Sequence, residues 1–176
     1  MRRRRLQFAA VVAVLGLLGV VTAAVAGGGS RNVREHLTGY EEVPSVSTPA
    51  TGEFRAQVRD DQIRYRVSYS ALDGAVTQAH IHFGQESVNG GISAFFCSNL
   101  GNGPAGTQAC PPGPATVEGT IEAKDVIGPA AQGIDPGQYQ ELLQAIRAGV
   151  TYANVHSTKF PGGEIRAQIE RGHDDH

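Results

Sequence analysis

Apolar and polar side chains alternate along the chain with the period of two that marks a half-buried strand. Phe54, Ala56 and Val58 share one face of residues 53–59, and Ile63, Tyr65, Val67 and Tyr69 share one face of residues 62–69. Asp60-Asp61 between them reads as a turn, so the two runs predict a hairpin. After a second turn signal, Leu72-Asp73-Gly74, the run from Val76 to Phe83 places Thr77, Ala79, Ile81 and Phe83 on one face and His80 and His82 on the other. Further strands are predicted at 92–96, 116–123, 151–156 and 164–170, the last two joined by Phe160-Pro161-Gly162-Gly163. A short first strand is expected within 36–44, stopped by Pro44, with residues 30–35 as a flexible lead-in.

The period changes once. Tyr139, Leu142, Leu143 and Ile146 recur at helical spacing, after Asp135 as N-cap and Pro136 at the first helical position, and Gly149 closes the turn. That predicts one short helix at about 137–148. Short strands with Gly/Pro punctuation around one helix indicate an all-β fold, mainly an antiparallel β-sandwich or barrel of Greek-key, immunoglobulin or superoxide-dismutase-like type. No internal repeat and no second domain stand out.

The N-terminus changes the picture. Arg2 to Arg5 precede an uncharged apolar run from Leu6 that ends in Ala24-Val25-Ala26. Residues 1–26 therefore read as a signal peptide, or as an N-terminal membrane anchor if they are retained. Residues 27–35 follow as a linker, 36–171 as one domain and 172–176 as a polar tail. Export to the periplasm, the cell surface or the medium is expected, with membrane contact only through the N-terminal segment. Without residues 1–26 the chain keeps 11 basic and 17 acidic residues, net −6, and no Lys/Arg cluster that would suit nucleic acid.

The only two cysteines, Cys97 and Cys110, bracket a turn-rich segment with little to bury. In an oxidising compartment they predict a disulfide. Gly101-Asn102-Gly103-Pro104-Ala105-Gly106 inside that segment matches G-x-G-x-x-G, but no helix can open into Cys110-Pro111-Pro112-Gly113-Pro114, so it is no dinucleotide site. Hydrolase motifs of the G-x-S-x-G and H-E-x-x-H kinds do not occur.

His80 and His82 on one strand face, with His156 far downstream, form a candidate metal site, since imidazole suits copper and zinc. Such a site would lose affinity as its ligands protonate near their reference pKa of about 6.5. Asn154 shares the face of His156 and is either a partner that fixes an imidazole tautomer or a strand residue satisfying backbone. Glu41, Glu42 and Glu164 are candidate carboxylates beside the site. Glu164 and Arg166 fall on one strand face and read as a surface ion pair. His173 and His176 in the tail read as a solvated terminus.

Four separated stretches carry a family resemblance: Leu37-Thr38-Gly39-Tyr40-Glu41-Glu42-Val43-Pro44 with Ala50-Thr51-Gly52, then Ala79-His80-Ile81-His82, Asn154-Val155-His156, and residues 161–169. Together they resemble a chordin-type (CHRD) domain in its single-domain, exported bacterial form. The resemblance implies an extracellular module and carries no settled activity with it. The His-x-His pair on a sandwich strand is also similar, more weakly, to copper-zinc superoxide dismutase; the zinc loop and a fourth copper histidine have no counterpart. The leading expectation is an exported module that binds copper, or else zinc, through His80, His82 and His156. A metal-free structural or adhesive module, its protein partner unknown, is the alternative, and a metal-dependent oxidoreductase the third.

Overall fold

The computed structural model describes residues 30–170. The predicted signal segment and the histidine tail lie outside the described residues. Eight strands form one sheet: β1 (Arg31–Thr38), β2 (Thr51–Val58), β3 (Ile63–Ser70), β4 (Val76–Phe83), β5 (Gly91–Ser98), β6 (Ala115–Ile121), β7 (Thr151–Ser157) and β8 (Ile165–Gln168). Their spatial order is β5-β4-β7-β8-β1-β2-β3-β6, and every pairing is antiparallel.

The sheet curls until its edge strands, β5 and β6, face each other without pairing. The Tyr65 hydroxyl on β3 donates to the Phe96 carbonyl on β5 (3.0 Å), and Gln108 donates to both Tyr65 and the Glu118 carbonyl of β6. The result is nearly a barrel. Its inside holds the apolar face of the predicted alternation: Leu37, Phe54, Val67, Ile81, Phe96, Val155 and Ile165, each essentially buried. Phe96 packs against Phe54 and Tyr65 at ring separations of 5.4 and 4.7 Å. Helix α1 (Tyr139–Ala148) closes the core with Leu142, Leu143 and Ile146, and ties to the β2–β3 turn through Tyr139 Oη, which donates to the Arg59 carbonyl (2.7 Å). Each such apolar side chain contributes about 1.5–3 kcal/mol by leaving water. The expected disulfide is present, with Cys97 and Cys110 Cα atoms 5.0 Å apart.

Three expectations need correction. Residues 31–35 are strand, not a lead-in: β1 pairs β2 over its whole length and buries Val33 and Leu37, while Gly39–Glu41 form a 3-10 turn instead of more strand. Asp135 does not cap α1, because the left-handed Gly137 (φ 87°) intervenes and Gln138 stands at the N-cap. In β4 the ladder to β7 slips between Val76 and Gln78, so Val76, and not Thr77, joins Ala79 and Ile81 in the core. The C-terminal glycine of α1 does behave as read: Gly149 adopts φ 73° and its N–H bonds back to the last turn.

Candidate metal centre

The outward face of β4 carries Gln78, His80 and His82, and β7 lies beside it in the register Gln78–His156, His80–Asn154, His82–Tyr152. That register sets His156 diagonal to His80, within reach of an imidazole. The three rings converge. His80 Nδ1 lies 3.3 Å from His82 Nε2 and 3.2 Å from His156 Nε2. All three ligand atoms lie within 4.8 Å of one another, the only such group of potential ligands among the described residues.

The far nitrogens are tied to backbone. His82 Nδ1 donates to the Gly90 carbonyl and His156 Nδ1 to the Pro161 carbonyl, each at 3.0 Å. A carbonyl can only accept, so both Nδ1 atoms carry the proton and both Nε2 lone pairs point inward. His80 Nδ1 stands between these two acceptors, and its Nε2 has no hydrogen-bond partner; the ring meets Phe95 edge-on at 4.4 Å. Burial, helped by the neighbouring rings, pushes His80 down to about 2 and His82 down to about 4, and burial lowers His156 as well. All three imidazoles are therefore neutral at neutral pH, the form that binds metal. The protonation expected near pH 6.5 moves to lower pH in the folded site.

Around the triad the outward face is roofed. Tyr152 stacks flat on His82 (4.7 Å, 2°), and the guanidinium of Arg166 lies 3.4 Å from the centroid of the same Tyr152 ring. Tyr152 Oη accepts the Gly90 N–H (3.1 Å), so one residue, Gly90, orients both the tyrosine and His82. A Cβ at Gly90 would overlap the Phe83 carbonyl, which is why the β4–β5 loop can pass close enough to do this.

The candidate neighbours divide. Asn154 Nδ2 donates to Glu42 Oε2 (3.3 Å) and touches no imidazole nitrogen. Glu42 is buried, and desolvation raises it to about 7. Gly163 turns close above this pair; a Cβ there would come within 2.6 Å of Glu42 Oε1. Glu41 is exposed and accepts the Gln168 N–H, away from the histidines. Glu164 and Arg166 are not a surface ion pair. Both are buried, and Glu164 Oε1 accepts from Thr48 Oγ1 and the Asp73 N–H, each at 2.7 Å, while Arg166 donates to the Gln85 carbonyl (3.2 Å). Sequence reasoning missed the two carbonyls that orient the imidazoles, since a backbone acceptor has no residue signature; the Pro161-Gly162 turn was the available hint. It also missed Tyr152 and Arg166.

The family model that matches is that of the CHRD domain, over residues 33–169. The chain belongs to the CHRD family. The matched segment runs from β1 past β8 and contains all three histidines, Asn154, Glu42 and Arg166. No curated protein and no solved structure matches the chain, so the likeness to copper-zinc superoxide dismutase finds no support. Among the described residues no helix is long and apolar enough to cross a membrane. The Cys97–Cys110 disulfide fits an exported CHRD domain.

Proposed function

We propose that this CHRD domain is an exported transition-metal-binding module whose ion is held by His80 Nδ1, His82 Nε2 and His156 Nε2. The observation that carries the reading is the convergence of three neutral imidazole nitrogens, with two separations of 3.2 and 3.3 Å. Two ligands at metal–nitrogen bonds of about 2.0–2.1 Å and a tetrahedral angle stand about 3.3 Å apart. Without an ion, the three inward-facing nitrogens hold at most one proton, on His80 Nδ1, which leaves lone pairs facing each other in a buried space. With the His80 proton on Nε2 all three lone pairs are free to bind. An ion resolves that by accepting all three.

Copper ranks before zinc in this reading, since imidazole nitrogen suits copper and an export compartment holds no competing cytosolic thiols. Residues 1–26 act as the export signal or anchor in this reading. The module binds an ion and needs no catalytic group of its own.

Metal titration of the full chain, monitored by calorimetry and by metal content after gel filtration, tests it. One equivalent should bind and be lost in His80→Ala/His82→Ala. No binding above that variant would leave a CHRD domain whose histidines only pack, and would favour the structural or adhesive alternative.

A further inference from the structure

We propose that the three-histidine centre selects a monovalent ion, Cu(I), over divalent ions, and that buried Arg166 enforces the selection. This rests on the metal-binding reading above and specifies the charge state of the ion. Three features of the site lead to it.

The first is the ligand set. Among the described residues no carboxylate or thiolate joins the three imidazoles, so none of the ion's ligands would carry a compensating negative charge. His80, His82 and His156 are 0, 7 and 5% exposed. The cost of moving an ion out of water scales with the square of its charge, so a dication costs about four times as much as a monocation of similar size. Neutral ligands in a buried site therefore penalise a second charge.

The second is the fixed charge that the fold places there. Arg166 is 1% exposed, and its guanidinium lies against Tyr152, which in turn lies flat against His82. The guanidinium keeps its charge in proteins, and its positive field reaches His82 across the Tyr152 ring that stacks on it. The same field disfavours each added charge on an ion at His82 Nε2. Among the described residues no carboxylate stands at ion-pair distance from Arg166. Glu42, Glu41 and Glu86 lie within its field, but burial pushes Glu42 up to about 7 and leaves it with only part of a charge, and the buried Glu164 is committed through Oε1 to Thr48 Oγ1 and the Asp73 N–H. A site meant for a dication would gain from the reverse arrangement.

The third is coordination number. Structural zinc takes four ligands and Cu²⁺ favours a tetragonal set. Cu(I) is d¹⁰ like Zn²⁺ but carries half the charge, so it is satisfied by three neutral donors where Zn²⁺ calls for a fourth. The side chains that close over the imidazoles here are Phe95 and Tyr152, and Tyr152 Oη is engaged with Gly90.

The test is a set of competition titrations on the full chain: Cu(I) under anaerobic conditions against a chromophoric Cu(I) chelator, with Zn(II) and Cu(II) in parallel. The wild type should hold one equivalent of Cu(I), about 100-fold or more tighter than either divalent ion. Arg166→Met keeps apolar contact with Tyr152 and removes the charge; it should narrow that ratio by about tenfold, the size of one screened charge–charge interaction. Glu42→Gln removes opposing negative charge and should widen the ratio. Damage to the fold alone would weaken every ion together and could not produce opposite changes in the two variants. Divalent binding as tight as Cu(I) in the wild type overturns the selection while leaving the metal centre intact. An unchanged ratio in both variants overturns the role of Arg166. Binding of no ion at all overturns the metal reading itself, a result distinct from the other two.

Discussion

The outward faces of the two halves of the sheet are both polar, yet they are different environments. On β1-β2-β3-β6 the outward row Arg34, Arg55, Arg66 and Glu118 stays in solvent, stitched by Arg34–Glu53 and Arg66–Glu118 contacts of 2.6 Å and by Arg55–Glu53. On β4-β7-β8 the outward side chains His80, His82, Tyr152, Asn154, His156 and Arg166 are all buried, and Gln78 and Gln168 at the margins are partly so. The difference is a roof. The segment after β1 brings Glu42 over β7, the β4–β5 loop brings Gly90, and the turn at 160–163 brings the Pro161 carbonyl. Polar groups shielded in this way must find partners within the fold, whereas the arginine row can rely on water. Chemistry that depends on a depressed pKa or an unhydrated ion is therefore available on one half only.

The largest expected effect breaks the comparison at the ligands. His82→Ala removes one of three nitrogens and the ring on which Tyr152 stacks, and should weaken metal binding by more than ~100-fold, the scale on which losing an inner ligand exceeds the 10- to 100-fold cost of losing an outer partner. Equilibrium dialysis against a metal buffer reads it. An equal substitution on the other half, Arg55→Ala, should leave the metal affinity unchanged.

The next effect is on stability. Glu164→Ala leaves Thr48 Oγ1 and the Asp73 N–H without their shared acceptor inside the fold, at a cost of about 2–4 kcal/mol. Urea midpoints with an unchanged slope would measure it. A loss within the noise of an exposed substitution would mean that the roof contributes no more than the arginine row does.

How much of this was legible in the chain follows the same division. Alternation alone located the strand faces, because Phe54, Val67, Ile81 and Val155 face one way whether or not anything covers the other side. The His80–His82 pair and its meeting with His156 were legible for the same reason: both strands present the histidines at outward positions, and the antiparallel register sets His156 one diagonal step from His80. What alternation cannot encode is the roof. Glu164 and Arg166 look like any exposed charge pair when read along one strand, and their burial is decided by segments more than 80 residues away, Thr48 with Asp73 for one and Gln85 for the other. β1 escaped notice for a related reason: Arg31, Arg34 and Glu35 make residues 31–35 read as solvated chain, although Val33 and the ladder to β2 hold them in the sheet.

Titration sharpens the comparison further. Unfolded histidine takes a proton near pH 6.5, while folded His80 and His82 resist it down to about 2 and about 4. As pH falls below about 6.5 the unfolded state therefore binds more protons, and the metal-free protein loses stability. Glu42 acts in the opposite sense: its folded pKa of about 7 lies above its unfolded value of 4.5, so its contribution is present below pH 4.5 and is lost as pH rises through 7. Glu35 and Glu41 are raised by burial in the same sense but less strongly, and two strongly depressed histidines, with His156 beside them, outweigh these acids. Stability should fall by about 1.4 kcal/mol per pH unit or more between pH 6 and 5, the effect of one net proton. Urea midpoints at a series of pH values check this, and Glu42→Gln should steepen the fall. A flat profile would mean that the histidines are hydrated and that the roof opens readily.

The smallest effect belongs to the arginine row. Arg66 and Glu118 face each other across β3 and β6 with about three fifths of each side chain in solvent. Such a pair gains little Coulomb energy in water and gives up rotamer freedom in two long side chains, so its coupling in a double-mutant cycle should be only about 0.2–1 kcal/mol. Salt at 1 M shortens the screening length to about 3 Å and should remove most of even that. The same salt should barely alter the Cu(I) preference or the cost of Glu164→Ala, because ions cannot enter between buried groups. A salt response of equal size on the two halves would show that the histidine face is as wet as the arginine face, and the case for a charge-selective metal centre would go with it.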